Sequence, residues 1–201
     1  MRADELRDFL DARNATTDQL RRRLVPGKTP ETGRKLVNRL LCRERRRKRV
    51  RVRGVVLLNG TGRPELVYGQ KCREEELEHE VLATELELIL GRFERRVRVG
   101  KAVADGMLVK GGRRFAIEVD NHTMTAKQMR EKWKHYAEAG WANGDAERYL
   151  LVVCRTKARL KRLIRGCGPV RGVALFSLLK WLRYRRVKYP WIDWRGNRAR
   201  V

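Results

Sequence analysis

Apolar residues along the first third of the chain recur at helical spacing and then change to alternation. Leu6, Phe9 and Leu10 fall on one side of ADELRDFLDAR and predict a helix. Thr16 or Thr17 can cap a second, short helix over DQLRRRL, which Pro26 and Gly27 stop. TPETGRKLVNRLLCRERR predicts a third helix, with Thr29 or Thr32 as cap and Leu36, Val37, Leu40 and Leu41 as its buried stripe. RVRVRGVVLL, NGTGRP and ELVYG then read as a β-hairpin with a Gly-rich turn. Glu74 to Glu78 open a long helix whose Leu82, Leu86, Ile89 and Phe93 form an apolar stripe, with Glu80, Thr84 and Glu87 on the opposite edge. Acids at a helix start are favoured by its dipole, so that patch reads as capping. His79 falls beside the stripe, as a packed histidine would.

In the second half, RRVRVG turns Val97 and Val99 inward and Arg96 and Arg98 outward, a strand beside the one that carries Asp105. Gly111 and Gly112 make a tight turn. The strand after it sets Phe115, Ile117 and Val119 on one face and Ala116, Glu118 and Asp120 on the other. His122, Thr123 and Thr125 follow, where they either cap the next helix or hold a phosphate. In that helix Met129, Trp133 and Tyr136 form a stripe toward the sheet, with Gln128 and Lys132 on its shoulder. YLLVVC and GVALFS read as buried strands around a basic helix, RTKARLKRLIR, which predicts a right-handed crossover and a mixed sheet. The last stretch interleaves Trp181, Tyr184, Tyr189, Trp191 and Trp194 with arginines and lysines. The tryptophans are expected to pack, and the arginines to meet phosphate.

Charge changes the picture more than length does. The 201 residues have room for one ordinary domain or two small ones, here drawn as 1–73 and 74–201. Lys and Arg number 49 against 24 Asp and Glu, a net charge of +25, which points to a polyanion such as DNA, double-stranded or branched. Arg43 to Arg53 holds eight basic residues in eleven. No apolar run approaches the roughly 18 residues of a membrane span, and no signal-peptide core opens the chain. The expectation is a soluble protein, cytoplasmic and nucleoid-associated, without a membrane partner. Cys42, Cys72, Cys154 and Cys167 lie far apart with no metal-ligand spacing, and read as reduced thiols.

The candidate chemistry gathers around the Gly-Gly turn. If that turn closes a hairpin, Asp105 comes near Glu118, and with Asp120 three carboxylates converge. Such a cluster repels itself without a cation. Hard oxygen ligands in small number suit Mg²⁺, at about 2.1 Å, with Mn²⁺ able to substitute. Lys132 can lean in from the helix to orient water or to stabilise phosphate charge, with Gln128 and Tyr136 in support.

The order of Asp105, a strand with Glu118-x-Asp120 and a helix with Gln128 and Lys132 resembles the PD-(D/E)XK nuclease superfamily. Within it, HEVLATEL from His79, ADG, IEVDNHT and KWKHY resemble the replication-relaxation family of plasmid and mobile-element proteins. The resemblance implies a restriction-endonuclease-like mixed sheet flanked by helices, and a Mg²⁺-dependent phosphodiesterase core with Asp105 and Glu118 as metal ligands. It also suggests Glu80 as a ligand from the preceding helix and a site role for His79 and His122. The superfamily lysine two residues after the Glu is Asp120 here, and Lys132 is the natural replacement. The first three helices and hairpin resemble a winged helix-turn-helix. In that reading Arg34, Lys35, Asn38 and Arg39 face the major groove and Arg45, Arg46, Arg47, Lys48, Arg49, Arg51 and Arg53 meet the backbone.

The α/β (α+β) chain is thus expected to be a Mg²⁺-dependent DNA endonuclease or nickase of a plasmid, phage or other mobile element. It would act as a homodimer if both strands are cut, or inside a larger replication or recombination assembly. The alternative is a DNA-binding accessory factor in plasmid replication that does not cut. Asp120 in the lysine position favours the alternative, and three acids in a polyanion binder speak against it.

Overall fold

The computed structural model describes residues 3–56, 65–121, 124–141, 147–184 and 187–201. The expected hairpin turn NGTGRP and the candidates His122 and Thr123 lie outside them. The protein is mixed α/β, and it divides into two compact units, Met1–Leu90 and Gly91–Val201.

In the first unit, α1 (Ala3–Ala12), β1 (Ala15–Thr16), α2 (Thr17–Leu24) and α3 (Pro30–Arg46) precede β2 (Val52–Val56), β3 (Glu65–Tyr68) and α4 (Glu74–Leu90). Thr16 caps α2 through a reciprocal box: its Oγ accepts from the Gln19 N–H at 3.4 Å, and Gln19 Oε1 accepts from the Thr16 N–H at 3.0 Å. Thr29 caps α3, with Pro30 fitting its first turn. Leu6, Leu10, Leu20, Val37, Leu40 and Leu41 close the core, while Leu36 is only half-buried. The strands form an antiparallel sheet in the order β1-β3-β2.

α4 groups with this unit rather than with the chain that follows it, which moves the division from Glu74 to Leu90. Side chains of the first helices hold it. Arg13 makes two bonds of 2.6 Å to Glu87, Gln19 Nε2 donates to the Val81 carbonyl at 2.9 Å, and the Thr84 hydroxyl donates to the Asn14 carbonyl at 2.9 Å. Arg22 reaches the fully buried Glu85 carboxylate. Because α4 ends at Leu90, Phe93, expected on its stripe, falls beyond it and packs in the second unit.

The second unit is a seven-stranded mixed sheet, in the order β10-β9-β8-β7-β6-β5-β4. β4 (Glu94–Val99), β5 (Ala102–Lys110) and β6 (Arg113–Asp120) run antiparallel. After α5 (Ala126–Tyr136) comes β7 (Arg148–Cys154), parallel to β6; after α6 (Lys157–Gly166) comes β8 (Ala174–Leu178), parallel to β7. A short α7 (Leu179–Tyr184) leads to β9 (Trp191–Ile192) and β10 (Arg198–Ala199). Gly111 and Gly112, at φ of 57° and 76°, form the two-residue β5–β6 turn, a left-handed pair that suits glycine. Gly106 leaves room for the Phe93 ring, which a Cβ would meet at 2.3 Å. Leu150 to Cys154 are all buried, as the unbroken apolar run of β7 requires. Met129, Trp133, Tyr136, Leu160 and Leu163 of α5 and α6 share a core with Ala116, Leu150, Val152 and Phe176 of the sheet. Trp191 is buried and pins the tail. All four cysteines are free thiols. Among the described residues no helix is long and apolar enough to cross a membrane.

Candidate active site

The β5–β6 ladder runs from Lys110–Arg113 to Gly106–Ile117, and continuing its register puts Asp105 opposite Glu118. There the backbone pairing gives way to a side chain, since the Val119 N–H donates to Asp105 Oδ2 at 2.7 Å. In β4, the position opposite Asp105 is Arg96, whose φ of 53° is unusual for a non-glycine residue.

Glu118 is 4 % exposed, with Ala116 and Asp120 on the same strand face. The stripe of α5 turns toward that face and brings two donors to its carboxylate. Lys132 Nζ lies 2.5 Å from Oε2, and the Tyr136 hydroxyl donates to Oε1. Burial, and after it the charge of Asp105, push the Glu118 carboxyl up to about 8, against the opposing pull of Lys132 and Tyr136. The Lys132 ammonium is held above its ordinary range: burial lowers it, but Glu118 and Asp105 together outweigh that. Burial and the same two carboxylates raise the Tyr136 hydroxyl, which stays a donor. The buried Glu118 carboxyl thus lies in the field of the Asp105 charge and in contact with the Lys132 ammonium.

Asp120 stands apart from this cluster. Arg159 of α6 grips it with bonds of 2.7 and 2.8 Å and also donates to the Met124 carbonyl at 2.8 Å. The expectation that Asp120 joins Asp105 and Glu118 as a third ligand is corrected accordingly: its charge is neutralised by a guanidinium that pattern reading did not single out. Gln128 is also placed differently. Its Oε1 accepts from the Thr125 N–H at 2.8 Å, completing a capping box at the start of α5, so it serves the helix end. The T-x-x-Q spacing was the available signal. His79 and Glu80 are half-buried on α4, in the first unit. Among the described residues no three of His, Cys, Asp or Glu gather closely enough to hold a metal.

In the first unit, Arg34, Lys35, Asn38 and Arg39 are exposed on α3, and Arg45, Arg46, Arg47, Lys48, Arg49 and Arg51 are exposed beyond its centre. Arg53 is half-buried and donates to the Gly69 carbonyl at 2.6 Å. Glu44, the acid within this basic run, is fully buried, within 3.3 Å of Arg43.

Comparison with protein-family models, curated proteins and solved structures gave no match, so the chemistry is read from the residues of this chain alone.

Proposed function

We propose that the protein is a Mg²⁺-dependent DNA endonuclease or nickase, with a nuclease-like second unit and a first unit that binds DNA as a winged helix-turn-helix. The observation that carries this reading is the meeting of Asp105, the buried Glu118 and Lys132 where the β5–β6 ladder ends. The residues fit Mg²⁺, which is commonly held by one or two carboxylates together with water and substrate phosphate. Asp105 and Glu118 would hold it. The ion would supply a polarised water and neutralise charge on the phosphate.

The chain's own groups do the rest. Tyr136 fixes Oε1 of Glu118 and Lys132 fixes Oε2, so this carboxylate is oriented before any substrate arrives. Lys132 orients the attacking water or stabilises the charge that grows on the phosphoryl oxygens. Water adds to phosphorus, the P–O3′ bond breaks and the 3′ oxygen takes up a proton, leaving a 5′-phosphate and a 3′-hydroxyl. The exposed arginines of α3 and the segment after it supply phosphate contacts whose affinity falls with salt.

A second reading, an accessory factor that binds DNA without cutting, is favoured by one observation: Lys132 already pairs Glu118, and Arg159 already pairs Asp120. Supercoiled plasmid incubated with Mg²⁺ or Mn²⁺ separates the two. Nicking by the wild type, lost in Asp105→Ala, Glu118→Ala and Lys132→Ala while DNA binding persists, supports the nuclease. Tight binding with intact plasmid under both metals, on linear and branched DNA as well, replaces it with the accessory factor.

A further inference from the structure

On the helix-covered face of the second unit, a cavity of about 500 Å³ opens between α5 and α6. Its floor is apolar: Met129, Trp133 and Leu163 line it and are each at most 5 % exposed. Its rim is cationic. Arg130, Arg162 and Arg165 are exposed around it, Arg159 lines the end that meets Asp120, and no acid lies among the lining residues. Among the described residues Arg130 and Arg162 have no ion-pair partner. Among the described residues the indole N–H of Trp133 is buried and bonded to no acceptor.

Unneutralised guanidinium groups around an apolar slot of ligand size select an anion that carries a flat apolar body. An inorganic anion would leave the floor uncovered, and an apolar ligand would leave the arginines unused. We infer that this cavity is a nucleotide subsite: it takes one nucleotide of a single strand, the base in the apolar slot between α5 and α6, and the phosphate on Arg130 and Arg162. Arg159 joins the subsite to the strand end that carries Glu118 and Asp120, so the nucleotide held there would neighbour the proposed point of hydrolysis. The inference rests on the nucleic-acid partner of the proposed function and is independent of cleavage.

The test titrates the full chain with trithymidylate in EDTA and follows tryptophan fluorescence. All five tryptophans lie in the second unit, so the signal reports binding there and not on the first unit's basic face. Arg130→Ala/Arg162→Ala should weaken binding about tenfold or more, as the loss of two charge-assisted phosphate contacts implies. Ala126→Trp, at an exposed position lining the cavity, should block it without a change of charge. Lys157→Ala/Lys161→Ala, which removes the same charge from α6 outside the cavity, should cost less than about twofold.

Equal loss in the lysine pair, or an unaffected Ala126→Trp, would overturn the subsite in favour of general electrostatics. Competition by pyrophosphate or an oligoglutamate peptide as effective as that by thymidine 5′-monophosphate would also overturn it, since neither carries a base. Because no metal is present, absent plasmid cleavage leaves this result untouched, and failure here leaves the carboxylate cluster untouched.

Discussion

Replacing Glu118 by Gln keeps the side chain's shape and removes its charge, and the structure predicts how stability should then depend on pH. The folded protein raises this carboxyl from 4.5 to about 8, chiefly through burial. Between these values the native state holds a proton that the unfolded chain has released, so the free energy of unfolding falls as pH rises and levels off above about 8. At about 1.4 kcal/mol per pH unit the interval amounts to roughly 5 kcal/mol, present in full below the unfolded value and gone above the folded one. Glu118→Gln should lack this slope. Near pH 5 the variant and wild type should differ by less than about 1 kcal/mol, because both side chains are neutral. Near pH 8 the variant should be more stable by about 4 kcal/mol, since the value of about 8 already includes the pull of Lys132 and Tyr136 on the charged carboxylate. Urea unfolding followed by tryptophan fluorescence measures the second unit alone, since residues 1–90 contain no tryptophan. The burial of the Cys154 thiol, pushed up to about 12, enters only above the window used. Wild-type stability that is flat or rising from pH 5 to 8, or an equal slope in the variant, would refute the reasoning.

Arg159→Met should destabilise the second unit by about 3–5 kcal/mol, because it strands the Asp120 carboxylate, whose side chain is 2 % exposed. Adding Asp120→Leu should recover most of that loss in the same urea assay. Gln128→Ala should cost only about 0.5–1 kcal/mol, the usual scale of a capping contact, and should leave the plasmid-nicking rate unchanged. A large loss of rate without a loss of stability would return Gln128 to the chemistry.

Pattern along the chain made the hairpin that carries Asp105 and Glu118 legible because its cues are local. Alternation in β6 placed Glu118 on the face that α5 covers, two adjacent glycines marked the turn, and the stripe of Met129, Trp133 and Tyr136 carried Lys132 toward the strand. The pairings that escaped are long-range choices among equivalent partners. Arg159 is one cation in a helix crowded with them, and it finds Asp120 across 39 positions. Arg13 and Arg22 likewise reach Glu87 and Glu85 across 74 and 63 positions, which is why α4 belongs with the first unit. The β9–β10 hairpin escaped for another reason. Asp193 builds its turn by accepting the Arg195 and Asn197 N–H groups at 2.8 Å each, a local signal masked by the aromatic and basic residues around it.

Where β5 and β6 part, the receiver of the Val119 N–H is a carboxylate and not a peptide carbonyl. Such a join loosens when a side chain rotates, with no strand having to unfold. The Val119 amide is therefore a built-in gauge of Asp105. Its exchange with deuterium should be slow while the carboxylate faces the sheet and should quicken whenever a cation draws that carboxylate away. One backbone proton thus reads the state of the site with neither substrate nor turnover.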